Sequence, residues 1–307
     1  MKKFLALLVS VVSITSLIQA KPAPHRSLAP VSALIRTAPY GEPASLALIR
    51  AINAGNVAEV ERLLAERQSR ANPNAFNRSG ISCLALAAQM GNEPIVRMLL
   101  QAGANPIQPT RISGLTPLMF ACQAGHLACV QTLLGRSGHG QINARSANES
   151  TPLFFAAQAG DTDTVAFLLA QRASVDTPNV RGISPLMIAA RNARAQAVTL
   201  LLDARAHPNR VAFDGRTALL EAAQNLSATD MQEYFDEQHT SLRVDVPAWD
   251  AARLPGDTPE AYGACVRVLL AAGAQLNPTD AGTSALERAD AAQNHRAASL
   301  IRAASRA

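Results

Sequence analysis

Residues 116–134 read TPLMFACQAGHLACVQTLL, and residues 151–169 read TPLFFAAQAGDTDTVAFLL. The leucine at the third position of this stretch recurs along the chain with a similar pattern after it, at Leu48, Leu84, Leu118, Leu153, Leu186, Leu219 and Leu286. Successive leucines are 33 to 36 residues apart, except for a last interval of 67 residues, which is close to two periods. Such a period indicates a stack of one repeated supersecondary unit.

The residues around each leucine predict a short first helix. A Thr or Ser hydroxyl before the leucine can cap free backbone amides, and proline at the first helical position has no amide to satisfy. The strongest helix starts are Thr116-Pro117, Thr151-Pro152 and Ser184-Pro185, and weaker versions begin at Ser82, Thr217 and Ser284. Pairs of small residues follow, which allow two helices to approach closely, at 87–88, 121–122, 156–157, 189–190 and 222–223. A glycine such as Gly125 then ends the helix.

A second helix carries a valine and, three and four residues later, a leucine pair, which together form one apolar stripe at helical spacing. The valines are Val60, Val96, Val130, Val165, Val198 and Val266. Gly103 and Gly273 end two of these helices, whereas the same slot holds Arg67, Ser137, Arg172 and Arg205 in the others. A side chain in the left-handed conformation expected there costs about 1 kcal/mol.

This repeated pattern resembles the ankyrin repeat family over about residues 44–303. The resemblance implies an all-α solenoid of six to seven helix-turn-helix units with hairpin fingers between them. It also implies a non-catalytic module that binds another protein through its concave face. In the final unit the leucine pair is replaced by Ile301-Arg302, as expected for a polar terminal cap.

Residues 1–20 have the features of an export signal. Lys2 and Lys3 precede an apolar run, and a small residue, Ala20, stands at its exit. We expect cleavage between Ala20 and Lys21, and an uncleaved anchor is the alternative because Ile18 is larger than this site prefers. Residues 21–43 hold five prolines and few large apolar residues, which predicts a disordered linker. The expected location is periplasmic or secreted, in a Gram-negative bacterium, without stable membrane insertion after removal of the signal.

Net charge and export together restrict the class of partner that the chain can bind. The chain after residue 20 carries a net charge of +3, and export makes nucleic acid an unsuitable partner.

An oxidising compartment would permit a disulfide, for which Cys122 and Cys129 are the best placed pair. The alternative is that each cysteine replaces a small residue or the helix-start proline of the repeat.

The sequence predicts no enzyme. Lys21 is the only lysine after the signal, so the folded part has no lysine for a phosphate-binding loop or a Schiff base. The chain also lacks a Gly-x-Ser-x-Gly, Cys-x-x-Cys or His-Glu-x-x-His motif. We therefore expect no catalytic residue, no metal and no cofactor, and an enzyme is kept as the remote alternative.

Two recurring polar positions predict a partner-binding surface. One position after the small pair, the residues are Gln89, Gln123, Gln158, Arg191 and Gln224, which the family resemblance places on the concave face. The inter-repeat hairpins carry one arginine each, at Arg78, Arg111, Arg145, Arg181 and Arg210. Planar guanidinium groups suit carboxylate recognition, so these arginines would attract an acidic partner. The alternatives are glutamines that bond to one another and solvated arginines without a partner.

A segment of about 35 residues interrupts the sixth repeat between its two helices. This segment, residues 227–260, carries a net charge of −6 and the only tryptophan, Trp249. Trp249 is a candidate anchor for the partner. Tyr234 and Phe235 could serve in the same way or fold the segment back onto the solenoid as a plug.

The resemblance indicates two functional groups among exported bacterial proteins of this kind. One group supports or protects periplasmic enzymes, including stress defence, and the other neutralises secreted toxic effectors as immunity proteins. In both cases the expected partner is a protein of unknown identity, and the chain is expected to be a monomer.

Overall fold

In a computed structural model of the chain, the structure describes residues 43–65, 71–137, 139–223, 259–275, 278–280 and 283–291. Thirteen α-helices lie among these residues. They are α1 (Pro43–Asn53), α2 (Val57–Ala65), α3 (Cys83–Gln89), α4 (Glu93–Gln101), α5 (Pro117–Ala124), α6 (Leu127–Ser137), α7 (Pro152–Ala159), α8 (Thr162–Ala170), α9 (Pro185–Arg191), α10 (Ala195–Asp203), α11 (Ala218–Ala223), α12 (Pro259–Ala271) and α13 (Ala285–Ala291).

The helices form pairs that stack in two layers. The first helices of the repeats pack side by side in the order α1, α3, α5, α7, α9 and α11, and the second helices in the order α2, α4, α6, α8, α10 and α12. Each of these twelve helices also packs against the other member of its pair. This is the all-α helix-turn-helix solenoid expected from the repeat period.

Hydroxyl caps start the first helices as the sequence predicts. The side-chain oxygens of six Thr or Ser residues accept a hydrogen bond from the backbone amide three residues later, at 3.2 to 3.4 Å. These residues are Ser82, Thr116, Thr151, Ser184, Thr217 and Ser284. Each cap satisfies one of the amides that a helix leaves free at its start.

The repeated apolar positions build one continuous core. The leucines that set the period are no more than 1% exposed in repeats one to six, and the valines of the second helices are fully buried. Within each leucine pair the first member is buried, whereas the second is buried or half-buried. The small pairs are buried between neighbouring first helices, where only a small side chain permits close approach.

Hairpin fingers join the repeats. The last finger contains a short antiparallel ladder of β1 (Thr279–Asp280) and β2 (Thr283–Ser284), and the first contains a bridge between Phe76 and Ser82. Neighbouring fingers are also hydrogen-bonded through the backbone, for example from the amide of Ala147 to the carbonyl of Ser113 at 2.9 Å. The fingers therefore form a connected row rather than independent loops.

Several helix ends differ from the sequence expectation. Pro43, which the sequence predicts in the linker, is the first residue of α1, and Glu260, predicted in the insertion, lies in the first turn of α12. Ser137 is helical rather than left-handed, because α6 continues through it and a 3₁₀ turn (His139–Gln141) follows. The left-handed conformation is confirmed at Arg172 and Arg205, each with φ of 66°.

Other predictions fall outside the described residues. These include the signal, nearly all of the linker and insertion, and the positions Arg67, Ile301 and Arg302. Among the helices that are described, none is both long and apolar enough to span a bilayer.

Candidate partner-binding surface

The predicted polar row lies at the ends of the first helices. Gln89, Gln123 and Arg191 are exposed and Gln158 is half-buried, at the ends of α3, α5, α9 and α7. Because these helices pack side by side, the four side chains follow one another along one face of the solenoid. We call this face the inner-helix face. Its role in partner binding stays a prediction, and Gln224 lies outside the described residues.

The finger arginines are exposed or half-buried, but they do not stand at the same position in each finger. Four of the five, Arg78, Arg111, Arg145 and Arg181, are exposed, and Arg210 is half-buried. Measured from the cap of the following helix, the five stand between three and seven residues away. The inter-finger hydrogen bonds set Arg181 beside Phe213 rather than beside another arginine. The arginines are therefore scattered over the fingers instead of forming a straight stripe.

Two of these arginines already have partners within the chain. The guanidinium carbon of Arg111 lies 4.9 Å from the ring centroid of Phe76, which is a cation–π contact. Arg145 forms an ion pair with Glu149 at 2.7 Å between Nη1 and Oε2. The ion pair partly neutralises the charge of Arg145, which therefore contributes less to long-range attraction of an acidic partner, whereas Arg111 keeps its full charge beside the neutral ring.

The first two fingers enclose a shallow cavity of about 180 Å³. Its lining includes Arg78 and Arg111, together with Phe76 and Ile112. Cationic and apolar groups thus meet at one place on the finger row. Such a place suits a partner segment that carries an acidic group beside an apolar one.

The fingertips also expose apolar residues that the sequence analysis did not single out. Ile112, Val180 and Phe213 are 86%, 48% and 65% exposed. All three lie four residues before the capping Thr or Ser of the next helix, at a position that is Arg78, Ala147 and Asp280 in the other fingers. Alignment of the fingers on their caps would have revealed this row.

A buried charge cluster at the sixth repeat is the second feature that the sequence analysis missed. The carboxylate of Glu221 in α11 is 2% exposed, and its Oε1 lies 2.8 Å from Nη1 of Arg216. Nε of Arg216 donates to Oδ2 of Asp214 at 2.7 Å. The other side of Glu221 faces Arg191, whose Nε lies 3.9 Å from Oε2. The signal was a Glu at a position that repeats two to five fill with an apolar residue.

Burial has the largest effect on the pKa of the Glu221 carboxyl. Loss of water raises the pKa of its carboxyl above the ordinary value, while the charges of Arg216, Arg191 and Arg181 act in the opposite direction. Three guanidinium groups thus face two carboxylates around this position, so the cluster as a whole is cationic.

The four cysteines are buried free thiols in the structure. The disulfide considered between Cys122 and Cys129 is therefore not formed there. Burial raises the pKa of Cys83 and Cys265 to about 12 and that of Cys129 to about 11, and it raises the pKa of Cys122 as well. A thiol in such surroundings is inert at neutral pH, because the thiolate is the reactive form.

The remaining candidates add no further site to this surface. Trp249, Ala20 and Lys21 lie outside the described residues. Within the described ranges, no three His, Cys, Asp or Glu side chains are grouped so that they could hold a metal ion.

Comparison with known proteins agrees with this architecture. A family model for ankyrin repeats in three copies matches residues 30–110 and 107–179, and a model for a single ankyrin repeat matches residues 181–212. The Arabidopsis thaliana protein named "Putative E3 ubiquitin-protein ligase XBAT31" is 33% identical over 103 residues. That alignment covers 34% of this chain and 22% of the plant protein, so the chain spans about a fifth of this relative's length.

Proposed function

Given that the chain belongs to the ankyrin repeat family, whose repeats are protein–protein interaction modules, we propose that it binds a protein partner in the periplasm through its concave face. The partner contacts the inner-helix face, defined by Gln89, Gln123, Gln158 and Arg191, and the adjoining fingers. In this proposal the protein is non-catalytic and supports a periplasmic enzyme or stress defence.

The observation that carries the proposal is the continuity of this surface. Each finger leads directly into the cap of a first helix, and both the fingers and the first helices contact their neighbours. Exposed polar and cationic side chains are therefore held in order over several repeats by a rigid scaffold. Pre-organised side chains lose little conformational entropy on binding.

Export is the second part of the proposal, and the pattern of residues 1–20 supports it. Expression of the full chain in a Gram-negative host, followed by fractionation and intact mass measurement, tests it. We expect a periplasmic species that begins at Lys21. A full-length species in the cytoplasm would contradict export.

Charge reversal tests the binding surface. We expect Arg78→Glu, Arg111→Glu and Arg181→Glu together to slow capture of the partner from a periplasmic extract, because they reverse the charge of the finger row. The matched control reverses Arg62, Arg97 and Arg267, three exposed arginines of the second helices. Equal loss of capture in both variants, or loss in neither, would contradict the assignment of the fingers.

The same capture experiment distinguishes two uses of the surface. A protein that neutralises one toxic effector needs a complex that survives high salt, whereas a helper of periplasmic enzymes needs a weaker and reversible one. We expect release of the partner as salt is raised, because arginine-guided association is screened by ions.

A further inference from the structure

The sixth repeat departs from the others at one buried position. Glu221 occupies the slot directly before the small pair of its first helix. In the other repeats with the same pattern this slot holds an apolar residue that is 6% to 8% exposed, namely Leu86, Phe120, Phe155 and Ile188. The fold therefore accepts an apolar side chain at this position.

A buried carboxylate at this slot does not favour the stability of the fold over an apolar side chain. Burial raises its pKa, and a buried ion pair is often no more stabilising than well-packed apolar side chains of similar volume. Arg216 has its own second partner, Asp214, so it would not be left without an acidic neighbour if Glu221 were absent. Stability alone thus gives no reason for this carboxylate.

Glu221 also lies within ion-pair distance of Arg191. This residue ends α9 in the slot that α3, α5 and α7 fill with glutamine, and 46% of its side chain is exposed on the inner-helix face. Its Nε lies 3.9 Å from Glu221 Oε2. A guanidinium has five N–H donors in a rigid plane, so an edge turned towards Glu221 leaves donors for a second acceptor.

We propose that Arg191 is a carboxylate-binding residue of the inner-helix face, and that buried Glu221 is the positioning residue that fixes its guanidinium. The ligand is an Asp or Glu side chain of the protein partner. Arg216 neutralises Glu221 at 2.8 Å, so the incoming carboxylate meets a cationic cluster. The inference rests on the proposed function, because it supplies one specific contact within that surface.

Two variants that restore residues used by the other repeats provide the test. Arg191→Gln installs the glutamine of α3, α5 and α7, and Glu221→Leu installs the leucine found at Leu86. Both variants should fold, which thermal unfolding checks, because Arg216 keeps Asp214 as a partner when Glu221 is replaced. Arg97→Gln is the control, since Arg97 is an exposed arginine of α4 that pairs with Glu93 at 2.7 Å.

The probe is a tetraglutamate peptide, titrated at low salt into the full chain. Calorimetry measures its affinity for every variant, and NMR follows the Nε–H resonance of Arg191 in the chains that retain this residue. We expect a saturable shift of this resonance in the native chain and in Arg97→Gln. Binding should fall about tenfold in Arg191→Gln, the effect of removing a charged hydrogen bond. In Glu221→Leu binding should fall several-fold, and the Arg191 resonance should move towards the position of a solvated arginine.

Glu221→Leu separates positioning from simple charge. Removal of a negative charge makes the cluster more cationic, so binding governed by charge alone would become tighter. Peptide binding as tight as in the native chain, or tighter, would therefore overturn the role of Glu221. Unchanged binding in Arg191→Gln would overturn the site itself. Both of these results concern the contact at Arg191, and neither changes capture of the partner by the native chain. If the native chain binds the peptide as expected but captures no partner, only the proposed function is contradicted.

Discussion

At the scale of the residue, two arginines hold a backbone conformation that glycine would hold at lower cost. Arg172 and Arg205 follow α8 and α10 with φ of 66°, in the slot where Gly103 has φ of 88°. Both arginine side chains are exposed. The slot was predictable because it recurs at a fixed distance from the leucine pair. Strain of this kind is local, so it can be removed without disturbing the core.

We expect Arg205→Gly to raise the free energy of unfolding by about 0.5 to 1 kcal/mol, because glycine adopts positive φ without a clash of Cβ. Urea denaturation measures the change. The converse variant, Gly103→Ala, should lower it by a similar amount, since a Cβ there meets no atom within 4 Å and only the backbone conformation is affected. Opposite signs from these would contradict the assignment of strain.

Buried thiols give the stability of the protein a dependence on alkaline pH. Burial raises the pKa of Cys83 from 9.0 to about 12, so the folded state keeps the proton that the unfolded chain loses. The contribution is fully present below pH 9 and is lost as pH rises towards 12. We expect the native chain to lose about 1 kcal/mol more than Cys83→Ala between pH 8 and pH 10. Parallel curves for the two proteins would refute this.

At the scale of the element, hydroxyl caps start the first helices. Thr151 Oγ1 accepts from the amide of Phe154 at 3.3 Å, and it is 1% exposed. We expect Thr151→Ala to lower the free energy of unfolding by about 1 kcal/mol or more, because a buried amide loses its acceptor. Thr151→Ser keeps the hydroxyl and should cost much less. Equal losses measured by denaturation would show that packing of the methyl group, and not the cap, matters.

Elements with a local signal were predictable, and those that depend on spacing between elements were less so. The caps, the leucines and the valines are read from neighbouring residues, and the structure has them as predicted. The end of α6 was not predicted correctly. Thr151, the next cap, lies 17 residues after Leu134, whereas Ser184 lies only 15 residues after Leu169. The added length allows α6 to include Ser137 and a 3₁₀ turn to follow it.

The site was harder to predict than the fold for the same reason. Glutamines and arginines at recurring positions could be named from the repeat. The charge cluster could not, since it joins Arg191 of one repeat to Glu221 and Arg216 of the next, and no local pattern shows that they meet. The exposed apolar fingertips, by contrast, recur four residues before a cap and could have been found by alignment of the fingers.

At the scale of the whole molecule, each repeat contributes one segment to a surface that no single repeat could form. Stability of such a stack comes from contacts between neighbours, so one layer of helices can remain available to a partner. We expect the partner to contact the first-helix layer and not the second. Gln123 on α5 and Gln131 on α6 permit a direct comparison, because both are exposed glutamines of the same repeat.

The decisive measurement is photo-crosslinking in living cells with a photoreactive amino acid placed at residue 123 or at residue 131. We expect a crosslinked partner from position 123 and none from position 131. Crosslinking from position 131 alone would place the interface on the second-helix layer and contradict the proposed binding surface.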